Sequence, residues 1–495
     1  MRMRHLLLLI LVALFGDLTA QKPYFQQKVN YDIKATLDDS KKQLKGEVKL
    51  LYYNLSPDTL HEMYFHYWTN AYKNRSTAFA KQMLRNGDTK FYFTDEDNLG
   101  GYDEPAIYID GQKQPWLYHE DNPDIVRIKL KTPIPPQRAA QITIPFTETI
   151  PAPFSRIGQG KNAYQMTQWY PKPAVYDRYG WHPIPYLNQG EFYSEFGDYK
   201  VELTLPENYV VAATGTLTTP SEVAFLENKT GETTAYLAKH SDNIADTTIP
   251  SSPKMKTIQY EAKNVHDFAW FANKGFMVAK SEATLRSSKK VATYAFFTRD
   301  QVKLWSKAVS YVDRAVLFYS EHVGEYPYEH ATAVFGALDA GGGMEYPMIT
   351  IIDQVPNAKA LDIVITHEVG HNWFYGLLGS NERVHPWMDE GINSYYEKRY
   401  TDTYYKPDSV ASNKKKSSFN LNTSDEMLEL LAYKYQARYH YDQPSGIHAD
   451  SFSSINYGLD LYKKTAWSMT MLENQLGTEN FDKIMQQYSR EWKFR

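Results

Sequence analysis

From Lys28 to Ala213 apolar and polar residues mostly alternate. Val29, Tyr31, Ile33, Ala35 and Leu37 are separated by mostly polar neighbours, and the same period runs through Val48, Leu50 and Tyr52, through Val126 to Leu130, and through Tyr199 to Leu205. A period of two, punctuated by Pro, Asn, Asp and Gly, predicts short strands of an antiparallel β domain. The stretch Leu217 to Met255 is polar and rich in Thr and Ser, and is expected to be a hairpin tip or variable loop. Strand-like runs return at Lys256 to Tyr260 and at Phe268 to Ala272.

The period changes after Arg286-Ser287-Ser288-Lys289-Lys290. Val302, Trp305, Val309, Val312 and Val316 recur at helical spacing and predict a helix over 300–320. Strands follow at Ala331 to Leu338 and Met348 to Ile352, with a turn at Gly341-Gly342-Gly343, and helices at Ala358 to Leu377, Met388 to Tyr404 and Leu459 to Leu476. There is no internal repeat. A β half followed by a mixed, helix-rich half predicts two domains, over 21–280 and 281–495, with the boundary falling between 275 and 290.

The first twenty residues precede both. Arg2, Arg4 and His5 lead into the apolar run Leu6 to Phe15, and a short stretch ends in Ala20 before Gln21. This is the layout of a secretory signal peptide over 1–20, and it predicts an exported protein: periplasmic, cell-envelope or secreted. The run is too short to span a bilayer, and no later segment reaches the roughly 18 apolar residues that a spanning helix needs, so no integral membrane domain is expected.

Composition narrows the chemistry. The 495 residues include no cysteine, which excludes disulfides, iron–sulfur clusters, a thiol nucleophile and thiolate-bound zinc. Any metal must sit on His, Asp or Glu. With 54 basic against 58 acidic residues the net charge is −4, which argues against a nucleic-acid partner. The run Lys414-Lys415-Lys416 reads as a solvated loop.

His367-Glu368-Val369-Gly370-His371 supplies the ligand pattern. Residues four apart share a helix face, so both imidazoles can reach one ion, while Glu368 points about 100° away, suited to holding a water beside the metal. Eighteen residues then separate His371 from Glu390, which follows Pro386-Trp387-Met388-Asp389 at the start of the next predicted helix. Two His and a Glu leave one position open, as catalytic zinc requires. Glu397, seven residues after Glu390, lies on the same helix face and can accept the second imidazole N–H of a ligand His. One Zn2+ per chain is expected on His367, His371 and Glu390.

These residues resemble the aminopeptidase N and leukotriene hydrolase family of gluzincins, whose pattern is H-E-x-x-H, eighteen residues, then E. The stretch Trp387-Met388-Asp389-Glu390-Gly391-Ile392-Asn393-Ser394-Tyr395 resembles the family's sequence around its third ligand. By the resemblance Glu368 is the general base. Gly342-Gly343-Met344-Glu345-Tyr346 resembles the family's G-x-M-E-N, with Tyr346 in place of Asn. It implies that Glu345 binds a substrate's free α-ammonium, and the glycines would let a peptide backbone approach closely. Tyr462-Lys463-Lys464-Thr465-Ala466 resembles the family's Y-E-K-G-A, so Tyr462 would donate to the oxyanion, with Tyr457 a competitor.

The β half is similar to the family's saddle-shaped N-terminal domain around Gln168-Trp169-Tyr170-Pro171, and Gln165 or Gln168 would join the ammonium site. The resemblance thus implies a multidomain fold: an all-β saddle-like domain, then a mixed α/β, helix-rich thermolysin-like catalytic domain, with the family's C-terminal helical domain absent or truncated. It implies a zinc aminopeptidase acting on peptides with a free N-terminus. An endopeptidase or epoxide hydrolase on the same core, or a non-catalytic peptide-binding homologue, are the alternatives; the intact ligand set favours an enzyme.

Overall fold

The computed structural model describes residues 24–337, 342–405 and 425–495. The signal-like segment 1–20, Leu338, Gly341 and the basic run at 414–416 lie outside the described residues. Among the described residues no helix is long and apolar enough to cross a membrane.

The alternating runs at 29–37, 48–52 and 199–205 lie in a nine-stranded sheet in the first half, while Val126 to Leu130 lies on Ile125–Ile134 in a separate four-stranded sheet. Lys28–Asp38 lies antiparallel to Gln43–Asn54 on one side and parallel to Gly197–Pro206 on the other. Arg138–Thr149 and Met255–Val265 extend the sheet outward from these. One row across five strands joins Ile144, Val48, Ile33, Val201 and Tyr260, each in register with the next and at most 3% exposed. A slip of one residue would turn that row to solvent, so the alternation itself sets the register.

The stretch expected to be a hairpin tip or loop is different. Pro220–Leu237 is a helix, opened by a proline in its first turn. Buried Glu222 pairs with Lys256 of the first-half sheet at 2.6 Å, and Thr233 accepts the N–H of Val278, on the sheet of the second half, at 2.9 Å, so the helix is tied to both. Its two buried residues, Glu222 and Thr233, are polar, and Phe225, Leu226, Tyr236 and Leu237 are only partly buried, so no apolar stripe marks the helical period.

A five-stranded sheet organises the second half, in the order Met277–Thr284, Lys290–Phe297, His330–Phe335, Ile349–Ile352, Gly343–Tyr346. Its first strand straddles residue 280. The expected 300–320 helix is two pieces, Val302–Trp305 and Ala308–His322. The helix starting at Ala358 stops at Gly370, short of Leu377, and the chain continues in turns in which Tyr375 has a φ of 70°. The next begins at Glu390, after a 3-10 turn at Pro386–Met388. The last expected helix opens with a π-helical turn, Tyr457–Lys463, before the α-helix Lys464–Leu476.

Candidate active site

The helix Ala358–Gly370 starts on Asn357, whose side-chain oxygen accepts the Ala360 N–H at 3.0 Å. Leu361, Ile365 and Val369 recur every fourth residue, are at most 1% exposed, and seat the helix against Ala308–His322 and Glu390–Tyr404. The adjoining face then presents His367 and His371 to Glu390. Gly370 permits the close crossing: a Cβ there would lie 2.2 Å from both the Asn393 side-chain oxygen and the Tyr319 hydroxyl. Those two groups form a brace, with Tyr319 donating to Asn393 at 2.7 Å and Asn393 donating to the His367 carbonyl at 2.7 Å.

His367 Nε2 and His371 Nε2 are 3.1 Å apart, and they lie 3.2 and 3.4 Å from Glu390 Oε2. Bonds of about 2.05 Å at tetrahedral angles place ligand atoms about 3.3 Å apart, so this triangle matches one face of a zinc-type site. The remaining ring nitrogens are spoken for: His367 Nδ1 is 2.9 Å from Glu397 Oε2, and His371 Nδ1 is 2.5 Å from Asp389 Oδ1. Each carboxylate fixes the tautomer that turns an Nε2 lone pair toward the centre. Helical spacing from Glu390 marks Glu397, whereas Asp389, directly before a ligand, carries no separate spacing signal.

The electrostatics call for positive charge. Burial opposes protonation of His367, yet hydrogen bonds to Glu390 and Glu397 hold its pKa up to about 10. Burial likewise opposes ionisation of Glu390, but His371 and His367 hold it well below the carboxylate range. Burial pushes Glu368 and Asp389 up to about 7, against the pull of the imidazoles. Four buried or half-buried carboxylates around two imidazoles form a donor set suited to a divalent cation.

This cluster lies at the floor of a cleft of about 510 Å³ lined by Gly342, Gly343, Glu345, Glu368, Tyr457 and Tyr462. Glu345 is on the edge strand Gly343–Tyr346, where Met344 and Tyr346 point into the core and Glu345 to the other face. Its Oε1 has no partner, and its carboxylate comes within 4.8 Å of the ligand atoms of His371 and Asp389. Glu368 Oε2 is also unpaired. Tyr462 donates to Glu390 Oε1 at 2.5 Å, while the Tyr457 hydroxyl is buried without a partner. The π-helical turn puts these two phenols, five positions apart, beside each other with ring centroids at 5.8 Å.

The two glycines differ in purpose. Gly342 has a φ of 62°, a left-handed backbone that favours glycine. A Cβ on Gly343 would lie 2.5 Å from Glu368 Cγ and 2.6 Å from its carboxylate. The space at Gly343 therefore belongs to Glu368 rather than to an incoming backbone. Gly343→Ala is expected to lower kcat by about tenfold or more while the melting temperature stays within a few degrees, since a misplacement of about 1 Å can cost up to about a hundredfold in rate. Parallel kinetics and thermal melts check this.

Gln168 does not line the cleft. It is buried in the β half with a φ of 50°; its amide nitrogen faces Asp267 and its oxygen accepts from Tyr346 at 3.2 Å. Gln165 is spent on the Arg156 and Ala337 carbonyls. The β half instead sends in Glu191 and Arg156. Arg156 donates to Glu191 Oε1 at 2.6 Å, and Glu191 Oε2 is buried and unpaired. Nothing in the sequence around Gly190-Glu191-Phe192 marks this role.

Residues 310–495 match the family model described as the peptidase family M1 domain. Leucine aminopeptidase 2 of Chaetomium globosum is 30% identical over 159 residues, covering 30% of this chain and 24% of that protein. Aminopeptidase M1-C of Oryza sativa subsp. japonica is 23% identical over 166 residues, covering 32% and 18%. The chain thus spans about a quarter or less of the length of these relatives. The crystal structure of an M1 zinc metallopeptidase from Deinococcus radiodurans superposes with a TM-score of 0.60 at 14% identity, over 97% of this chain and 89% of that one. A two-domain M1 zinc metallopeptidase mutant bound to L-arginine gives 0.59 at 15% identity, over 95% and 88%. The β-rich first half and the helix-bearing second half are similar in fold to a two-domain M1 zinc metallopeptidase, and the match to the peptidase family M1 domain falls on the second half.

Proposed function

We propose that the chain is a zinc-dependent aminopeptidase. The observation that carries this is one cleft holding both a ligand triangle of tetrahedral size and, beside it, unpaired carboxylate oxygens on Glu345 and Glu191. His367, His371 and Glu390 would hold the ion, and when bound it supplies Lewis acidity toward a water molecule and a peptide carbonyl.

The chain's own groups do the rest. Glu345 and Glu191 receive the ammonium of a peptide N-terminus, a primary cation that pairs with two converging carboxylates. That anchorage sets which peptide bond lies over Glu368. Glu368 takes a proton from the attacking water and returns it to the departing amine nitrogen. The hydroxyls of Tyr462 and Tyr457 stand on the same side of the cleft to donate to the carbonyl oxygen as it gains charge.

Alanyl-p-nitroanilide and its N-acetylated form test the reading. The free amine is expected to be cleaved at least about a hundredfold faster in kcat/KM, the worth of one lost charged hydrogen-bond site. Glu345→Gln should raise KM by about tenfold or more with a smaller effect on kcat. Equal cleavage of the two forms would instead support the endopeptidase alternative. The relatives and structures named as aminopeptidases and M1 metallopeptidases support the same chemistry.

A further inference from the structure

The eighteen residues between His371 and Glu390 reach across to the β half. Resting on the aminopeptidase reading, we infer that Glu382 and Arg383, in the middle of that spacer, are positioning residues that hold the Glu191 carboxylate in the cleft. They do so by gripping the backbone on both sides of it.

Glu382 and Arg383 are each 1% exposed. Glu382 Oε2 accepts the Phe192 N–H at 3.1 Å. Arg383 donates from Nε and Nη2 to the Glu191 carbonyl at 3.2 and 3.1 Å, and from Nη2 to the Gly190 carbonyl at 3.4 Å. Gly190 leaves room for this grip: at a φ of 108°, a Cβ there would meet Arg383 Nε at 3.2 Å.

The same short segment is tied down elsewhere. Arg156 donates to the Leu187 and Asn188 carbonyls as well as to the Glu191 side chain. Gln82 exchanges two hydrogen bonds with the Gln189 backbone. An isolated surface loop would need none of this. A buried guanidinium spent on two carbonyls is a costly way to fix a backbone unless the side chain it carries must be placed closely. The side chain so placed is Glu191, whose free oxygen faces the same cleft as Glu345. The spacer therefore links the two halves of the site: its ends carry His371 and Glu390, and its middle sets the position of the β half's carboxylate.

The test uses the whole zinc-loaded enzyme with alanyl-p-nitroanilide. Glu382→Leu, which removes the acceptor for Phe192 N–H, is expected to raise KM about tenfold with kcat within about twofold, the cost of a misplaced binding group. Glu382→Gln keeps an oxygen acceptor and should restore KM to near the parent value. Placed on Glu191→Gln, the Glu382→Leu change should add no further rise, because it acts only through Glu191. An unchanged KM in Glu382→Leu, or a full additional rise on the Glu191→Gln background, would overturn the inference. A parent enzyme that leaves alanyl-p-nitroanilide uncleaved would instead defeat the aminopeptidase reading itself.

Discussion

Glu368→Gln is expected to retain its metal and to lose turnover by on the order of a thousandfold, the range of a general base. Glutamine keeps the shape of the side chain that fills the space at Gly343, so packing is preserved. It leaves untouched the triangle of His367, His371 and Glu390, in which Glu368 has no part. What it loses is the capacity to take a proton. KM should therefore move little while kcat collapses, and metal content by elemental analysis should stay at one ion per chain. Full activity in this variant would sink the assignment of Glu368 as the base.

Removing the metal should have an effect of similar size on activity and a second one on stability. A chelator is expected to abolish cleavage and to lower the melting temperature by several degrees, with Zn2+ restoring both. The stabilisation follows from linkage: free ligand at about a thousand times its Kd contributes about 4 kcal/mol. The structural reason is the crowd of acceptors. Two imidazole nitrogens stand 3.1 Å apart beside Glu390, with Glu397 and Asp389 behind them, and without a cation these groups must be satisfied by protons alone. Differential scanning calorimetry with and without chelator reads the shift. An unchanged melting temperature under a chelator that strips the ion would rule out a structural contribution from the site.

Much of this site follows from local periodicity. His367, Glu368, His371, Glu390 and Glu397 belong to two helices, and helical spacing alone predicts which of them share a face. Glu345 comes from the resemblance of Gly342-Gly343-Met344-Glu345-Tyr346 to the family's G-x-M-E-N, and the structure places it on a four-residue edge strand that no alternation marks. The residues that escaped are those brought in by long-range packing. Glu191 lines the same cleft as Glu345 from more than a hundred and fifty positions away in the chain, and no spacing rule connects the two. The choice of Gln168 went astray for the same reason: a glutamine near a motif says nothing of which way a left-handed backbone turns it. The helix Pro220–Leu237 gives no apolar stripe because its two buried residues, Glu222 and Thr233, are polar.

The close crossing at Gly370 has a consequence for how the metal site is tuned. The two edges of the ligand triangle that run to Glu390 depend on how near Ala358–Gly370 and Glu390–Tyr404 lie, and the missing methyl group at Gly370 and the Tyr319–Asn393 brace let the two helices lie close. The gauge of the coordination sphere is thus the hydrophobic interior itself. Leu361, Ile365 and Val369, which touch no substrate in this scheme, are the buried residues behind that spacing.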